Sequence, residues 1–224
     1  MPVQLNMPRL LSLFDGTGSI CRPFAEAGWD VQSVDLDARH GATDVCDVRE
    51  WDYRSAHAPD VIWAGVPCEQ YSIARTRAKK PRDYATADSL VAKTWEIIQH
   101  FLQIDPALLW FVENPMSSQL WRRSVADVFA VRSVLSYCSY QSPVRYQKKT
   151  RIAHNTAWEP RPICSAKTCE YYGRHPKTAQ KGPTKGWRGA ADECSLCELH
   201  AYPRQLCEEI FQYCQARVWH EVSS

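Results

Sequence analysis

The 224-residue chain has no apolar run long enough to cross a membrane. Its first stretch, MPVQLNMPRLLSLF, lacks a charged start followed by a long apolar core, so no signal peptide is read from it. Charge of one sign is also missing. Twenty-seven Lys and Arg face 25 Asp and Glu, a net charge of +2, so any basic surface has to be local. There is no internal repeat, and no phosphate loop carries the lysine that ATP hydrolysis requires. These absences leave a cytoplasmic chain for which neither a membrane nor an obligate protein partner is expected. Its 45% hydrophobic residues suffice for one core and a small appendage.

What the chain does have is cysteine, ten in all. In a reducing compartment these are thiols, metal ligands or nucleophiles rather than disulfides. Cys207 and Cys214 lie on one face of the helical pattern PRQLCEEIFQYCQARVW and read as core residues. Cys68 is different. DVIWAGVPCEQYS places it after Pro67, where an apolar strand passes into a loop, and such loops carry chemistry.

Strand patterns at RLLSLF, DVQSVDLD, APDVIWAG and ALLWFVENP alternate with helical patterns at ICRPFAEAGW and YATADSLVAKTWEIIQHFLQI. The second helix has Thr86 or Asp88 as its expected cap. VRSVLSYCSY and VRYQKKTRIAHN read as two further strands, antiparallel to each other. The expected fold is α/β, a doubly wound, mostly parallel Rossmann-like sheet. Residues 1–158 form the main domain, 159–200 a small insert rich in Cys and Lys, and 201–224 a terminal helix packing back on the main domain.

In LLSLFDGTGS, Gly16 and Gly18 fall between a strand and a helix, where a ligand can approach the main chain. About twenty residues on, SVDLD ends the second strand with Asp35 and Asp37, suited to a ribose diol. Asp47 in TDVCDV is placed to accept from an adenine amino group. Each acid alone would more simply solvate a loop or cap a helix. The three features together point to an adenosine-type ligand. Cys68 follows the third strand and Glu113 ends the fourth, so a thiol and a carboxylate are expected to share the carboxyl edge with the glycine turn.

LFDGTGS, VPCEQYS, ENP and YQKKTR occur in the order and spacing of the cytosine-C5 DNA methyltransferases, and the chain resembles their short, phage-type members over roughly residues 9–155. The resemblance returns weakly at AYPRQLCEEI. It implies an S-adenosylmethionine-dependent methyltransferase acting on double-stranded DNA. Cys68 would add to carbon 6 of a cytosine swung out of the helix, and Glu113 would hold or protonate ring nitrogen 3. Lys149 and Arg151 would lie near the cytosine oxygen and the carboxylate. Asn114 would brace the loop. Gln70 and Ser72, with Arg75 and Arg77 of the basic stretch RTRAKKPRDY, would contact DNA. For the donor, the resemblance implies Phe14 by the adenine, Gly16, Thr17 and Gly18 at the methionine end, Asp35 at the ribose, Asp47 at the adenine amino group, and Pro67. Departures stand beside it: Glu69 where glutamine is common, ENP for Glu-Asn-Val, and Lys149 for arginine. They leave open a modified donor, with Arg22 as a partner for an extra carboxylate, or an RNA substrate. A non-catalytic DNA-binding homologue is the reading from another class.

In the insert, ICSAKTCEYYGRH and ECSLC supply Cys164, Cys169, Cys194 and Cys197 as a four-thiolate zinc site, with His175 able to replace one of them. Free thiols in a loop are the plainer alternative. Lys167, Arg174, Lys177, Lys181, Lys185 and Arg188, interleaved with Tyr171, Tyr172 and Trp187, suit phosphate contact and stacking. The insert is short, so a short or loose recognition sequence is expected.

Overall fold

The computed structural model describes residues 7–73, 75–76, 78–129, 131–140, 147–175, 177–178, 182–183 and 200–222. Seven strands form one sheet: β1 (Arg9–Leu13), β2 (Asp30–Asp35), β3 (Asp44–Val45), β4 (Val61–Gly65), β5 (Leu109–Pro115), β6 (Arg132–Ser136) and β7 (Lys149–His154). Their spatial order is β3-β2-β1-β4-β5-β7-β6. The first five pair in parallel, and β7 runs antiparallel to both β5 and β6. The doubly wound, mostly parallel sheet read from the sequence is therefore present. A two-residue hairpin, β8 (Lys177–Thr178) with β9 (Gly182–Pro183), lies apart from it.

Strand alternation sorts the core onto two faces. Leu11, Leu13, Ile62, Ala64, Trp110 and Val112 pack on one side with α2 (Tyr84–Ile104), through its Val91, Ile97, Ile98 and Phe101. Leu10, Val61, Trp63 and Phe111 pack on the other with α1 (Cys21–Glu26) and α3 (Arg204–Val222). Full burial of each such side chain stabilises the fold by about 1.5–3 kcal/mol. Cys207 and Cys214 of α3 are buried in this second cluster, beside Leu206 and Ile210.

Two local features differ from the sequence reading. The cap of α2 is Asp83, whose carboxylate accepts from the Thr86 N–H at 3.0 Å. Asp88 is instead bound by Arg123 and by the Tyr71 hydroxyl, which ties α2 to the loops after β4 and β5. The strand expected across VRSVLSYCSY stops at Ser136, and Tyr137–Tyr140 turns as a 3-10 helix. Among the described residues, no helix is long and apolar enough to cross a membrane.

Candidate active site

Adjacent parallel strands end at one edge of the sheet, and their register decides which side chains meet there. Gly65 of β4 sits opposite Glu113 of β5, and Cys68 follows three residues later. A cleft of about 750 Å³ opens at this edge. It is lined by Phe14, Gly16, Thr17, Asp35 and Leu36 at one end and by Pro67, Cys68, Glu113 and Lys148 at the other. That volume is in the range of a small-molecule cofactor site. The thiol, the carboxylate and the glycine turn thus share one cavity.

The turn after β1 is conformationally unusual. Phe14, Gly16 and Gly18 all have φ near +60°. For the two glycines this is free of strain, whereas for Phe14 it costs on the order of 1 kcal/mol or more. Asp35 organises the same loop. Its Oδ2 accepts from the Gly16 N–H at 2.8 Å, and its Oδ1 accepts from the Asp37 N–H at 2.8 Å and faces His40 Nδ1 at 3.1 Å. A carboxylate offers about four acceptor positions, so one remains for a further donor. Leu36, 72% exposed, presents an apolar wall beside it. Carboxylate, apolar wall and backbone cradle together suit a nucleoside. Asp47 does not line this cleft. Arg49 binds its carboxylate through side chain and backbone and holds it below the usual carboxylate range.

Glu113 is 5% exposed and held from several sides. The Thr150 hydroxyl donates to its Oε1 and also to the Asn114 carbonyl. The Tyr202 hydroxyl donates to Oε2 at 3.4 Å, and Lys148 Nζ lies 3.8 Å from Oε1. Burial, and then the Glu113 charge, push the Tyr202 hydroxyl well above its ordinary pKa, so it remains a donor. Gly65 is what admits Tyr202: a Cβ there would lie 2.5 Å from the tyrosine oxygen. Asn114 is fully buried, and its Nδ2 donates to the Val66 carbonyl at 2.7 Å, bracing the loop that carries Cys68. Burial raises the Cys68 thiol above the usual cysteine value; Lys148 opposes that rise, while Glu113 and Glu69 add to it.

The cation at this carboxylate is Lys148 rather than the expected Lys149. Lys148 lies just before β7, which begins at Lys149. Arg151, next but one to Lys149, stacks on Trp121 with 5.4 Å between guanidinium and ring, and its Nε is buried with no hydrogen-bond partner among the described residues. Of the DNA-contact candidates, Gln70 and Arg75 bind each other, and the Gln70 carbonyl oxygen also accepts from Arg82. They hold the loop after Cys68 in shape. Ser72 accepts from the Arg75 N–H through its carbonyl at 3.3 Å, and Arg77 lies outside the described residues. Arg22 lines a separate pocket of about 230 Å³ between α1 and the start of α3, which shares Thr17 and Tyr202 with the main cleft.

In the insert, Cys164, Cys169 and His175 come together with Cys138, which the sequence reading did not include. Cys194 and Cys197 lie outside the described residues, as do Lys181, Lys185, Trp187 and Arg188. Thr150, Tyr202 and Cys138 carried no sequence signal, because their partners are brought to them by strand order and by the return of the chain after the insert.

Fold and cleft define a class, that of doubly wound, Rossmann-like α/β proteins with a nucleoside-sized cleft at the carboxyl edge of the sheet, and the chain has a curated relative. The chain is 29% identical over 194 residues to a protein of Frog virus 3 (isolate Goorha) named "Probable DNA (cytosine-5)-methyltransferase", covering 77% of this chain and 82% of that one. The resemblance to the cytosine-C5 methyltransferases carried by the motifs is borne out by this relative. No protein-family model matches the chain. Among solved structures, the chain is similar to the Dnmt2 methyltransferase of S. pombe (TM-score 0.47, 11% identity, 69% of this chain and 52% of that one). It is also similar to Spodoptera frugiperda DNMT2 (TM-score 0.42, 13% identity, 70% and 54%). The chain spans about half the length of these two structures.

Proposed function

We propose that this chain transfers a methyl group from S-adenosylmethionine to carbon 5 of cytosine in double-stranded DNA, through a transient covalent bond from Cys68. The observation that carries the reading is that Cys68 and Glu113 line one cleft with the Gly16 turn and Asp35. The name of the viral relative supports DNA as the nucleic acid.

Cytosine carbon 5 is a weak nucleophile. Addition of the Cys68 thiolate at carbon 6 converts the ring to an enamine, in which carbon 5 carries electron density; once carbon 5 is methylated, loss of its proton breaks the C6–S bond, frees the thiolate and restores the ring. The thiol starts with a raised pKa, so it has to lose its proton as the base arrives, and Lys148 is the cation placed to stabilise the thiolate. Glu113 delivers a proton to ring nitrogen 3 as the sulfur adds, so the proton lost from Cys68 is matched by one gained on the ring and negative charge does not accumulate there. Tyr202, Thr150 and Lys148 fix the direction of that carboxylate. Asp35, Leu36 and the Phe14–Gly18 loop would hold the donor, which when bound supplies an electrophilic methyl group. A stacked base offers its ring edge but not its face, so the cytosine enters the cleft everted, at a cost of a few kcal/mol.

The test is incubation of the chain and donor with duplex DNA, or with RNA, carrying 5-fluorocytosine, which blocks release of the enzyme. A denaturant-stable complex with DNA that is absent in Cys68→Ala is the expected result, together with 5-methylcytosine in unmodified DNA digests. Trapping by RNA alone overturns the substrate. A different mass at carbon 5 overturns the donor. Failure to trap either nucleic acid, with no modified nucleoside formed, overturns the enzyme reading.

A further inference from the structure

We propose that Cys138, Cys164, Cys169 and His175 form a structural zinc site that fastens the insert to the β6–β7 edge of the sheet. The inference is independent of the methyl-transfer reading.

The geometry comes first. The three Sγ atoms and one imidazole nitrogen all lie within 4.8 Å of one another. His175 Nε2 is 3.3 Å from Cys169 Sγ and 3.5 Å from Cys164 Sγ. A tetrahedral zinc ion with bonds of about 2.3 Å to sulfur and 2.0 Å to nitrogen sets its ligand atoms roughly 3.5–3.8 Å apart. Three thiolates and an imidazole are a common structural zinc set, and their softness disfavours magnesium or calcium.

The inverted burial of the segment comes second. Cys164 and His175 are 4% and 3% exposed, while Ile163 and Tyr172 between and beside them are 46% and 53% exposed. A loop ordered by hydrophobic packing would do the opposite. Here the apolar side chains face out and the ligating ones face in. The backbone between them is a run of tight turns, with the Cys169 N–H on the Ser165 carbonyl, the Tyr172 N–H on the Cys169 carbonyl, and Gly173 at φ +76°. Four residues separate Cys164 from Cys169 and five separate Cys169 from His175, spacing that such turns accommodate.

The link to the sheet comes third. Cys138 lies in the 3-10 turn that ends β6, and the Cys164 N–H donates to Ser136 Oγ at 3.0 Å. Ser136 pairs with Lys149 of β7, one residue from the threonine that holds Glu113. An ion here would tie the first turn of the insert to the strand that orients the catalytic carboxylate. Four donors complete a tetrahedral shell, so Cys194 and Cys197 are not needed as ligands.

Zinc content of the purified full-length chain, with X-ray absorption at the zinc edge, tests this. About one zinc per chain, bound by three sulfurs and one nitrogen, is expected. The double variant Cys194→Ser/Cys197→Ser should keep that zinc, and Cys138→Ser or His175→Ala should lose most of it. The wild-type absorption spectrum stands even where a ligand variant fails to fold. A four-sulfur shell, a folded chain free of zinc, or zinc lost with Cys194 and Cys197 but retained without Cys138, would each overturn the site.

Discussion

The cleft and the cysteine cluster sit at neighbouring ends of the same sheet, yet they are held by different physics. Around the cleft, Cys68 and Glu113 follow strands whose other residues are buried in two hydrophobic clusters. Their positions are set by β-register, and the core stabilises them whether or not a ligand is bound. In the segment from Ile163 to His175 the only buried residues are Cys164 and His175. That segment buries cysteine and histidine where the sheet buries leucine and valine. The difference separates chemistry from stability: substitutions in the cleft should stop the reaction without loosening the fold, and loss of the cluster's ion should loosen the insert without unfolding the sheet.

The sharpest contrast lies in Cys68→Ala. Removing the proposed nucleophile should lower methyl transfer by at least ~10³-fold. The side chain is only half-buried, so the melting temperature should move by no more than about 2 °C. Glu113→Gln keeps shape and cannot deliver a proton to ring nitrogen 3, and should cost about 10²–10³-fold in turnover. A large fall in melting temperature for Cys68→Ala would mean that the thiol is a packing residue. Chelation probes the other side. Metal binding energy at such sites is folding energy, so stripping zinc should raise protease cleavage within residues 162–175 by ~10²-fold while the sheet stays protected. Equal cleavage before and after chelation, read by mass spectrometry of the fragments, would erase the distinction between the two regions.

Gly65 joins the regions, because it makes room for the tyrosine that follows the insert. Gly65→Ala places a methyl 2.5 Å from the Tyr202 oxygen and should cost about 1–3 kcal/mol. Tyr202→Phe alone removes one long hydrogen bond and should cost less, about 0.5–1.5 kcal/mol. In the double variant the nearest ring carbon stands at 3.7 Å, so most of the overpacking cost should vanish. Denaturant midpoints of the four proteins give the coupling directly. Additive losses would show that Tyr202 does not press on β4.

Much of this arrangement is readable from the sequence, and the exceptions have physical reasons. The strands of the parallel sheet announce themselves because both faces are covered, giving near-continuous apolar runs such as VIWAG. α2 runs over Tyr84–Ile104, the full span of its apolar periodicity. β3 has two residues and no pattern to detect. The Cys68–Glu113 pair could be anticipated, since two strand ends at one edge must be near each other. The support for Glu113 could not. Tyr202 arrives after the insert, and Thr150 is one position from the two residues that drew attention. Cys138 was hidden inside a segment whose pattern continues as a strand, although its backbone turns after Ser136.

The two lysines at the entrance to β7 offer the finest distinction. Lys148 Nζ is 3.8 Å from Glu113 and lines the cleft with Cys68, whereas Lys149 faces away and its charge is felt at Cys164. Burial raises the Cys68 pKa, so the thiolate fraction near pH 7 lies below that of an ordinary cysteine and grows as pH climbs toward the raised value. A nearby cation favours the thiolate. Replacing Lys148 with Met removes that help, and the pH midpoint for alkylation of Cys68 by iodoacetamide should move higher. Lys149→Met should leave the midpoint in place, because Lys149 does not line the cleft and its charge acts on Cys164 instead. The reaction at this one site, followed by peptide mass spectrometry across alkaline pH, separates the two lysines without reference to methyl transfer. A shift with Lys149→Met and none with Lys148→Met would reverse the assignment.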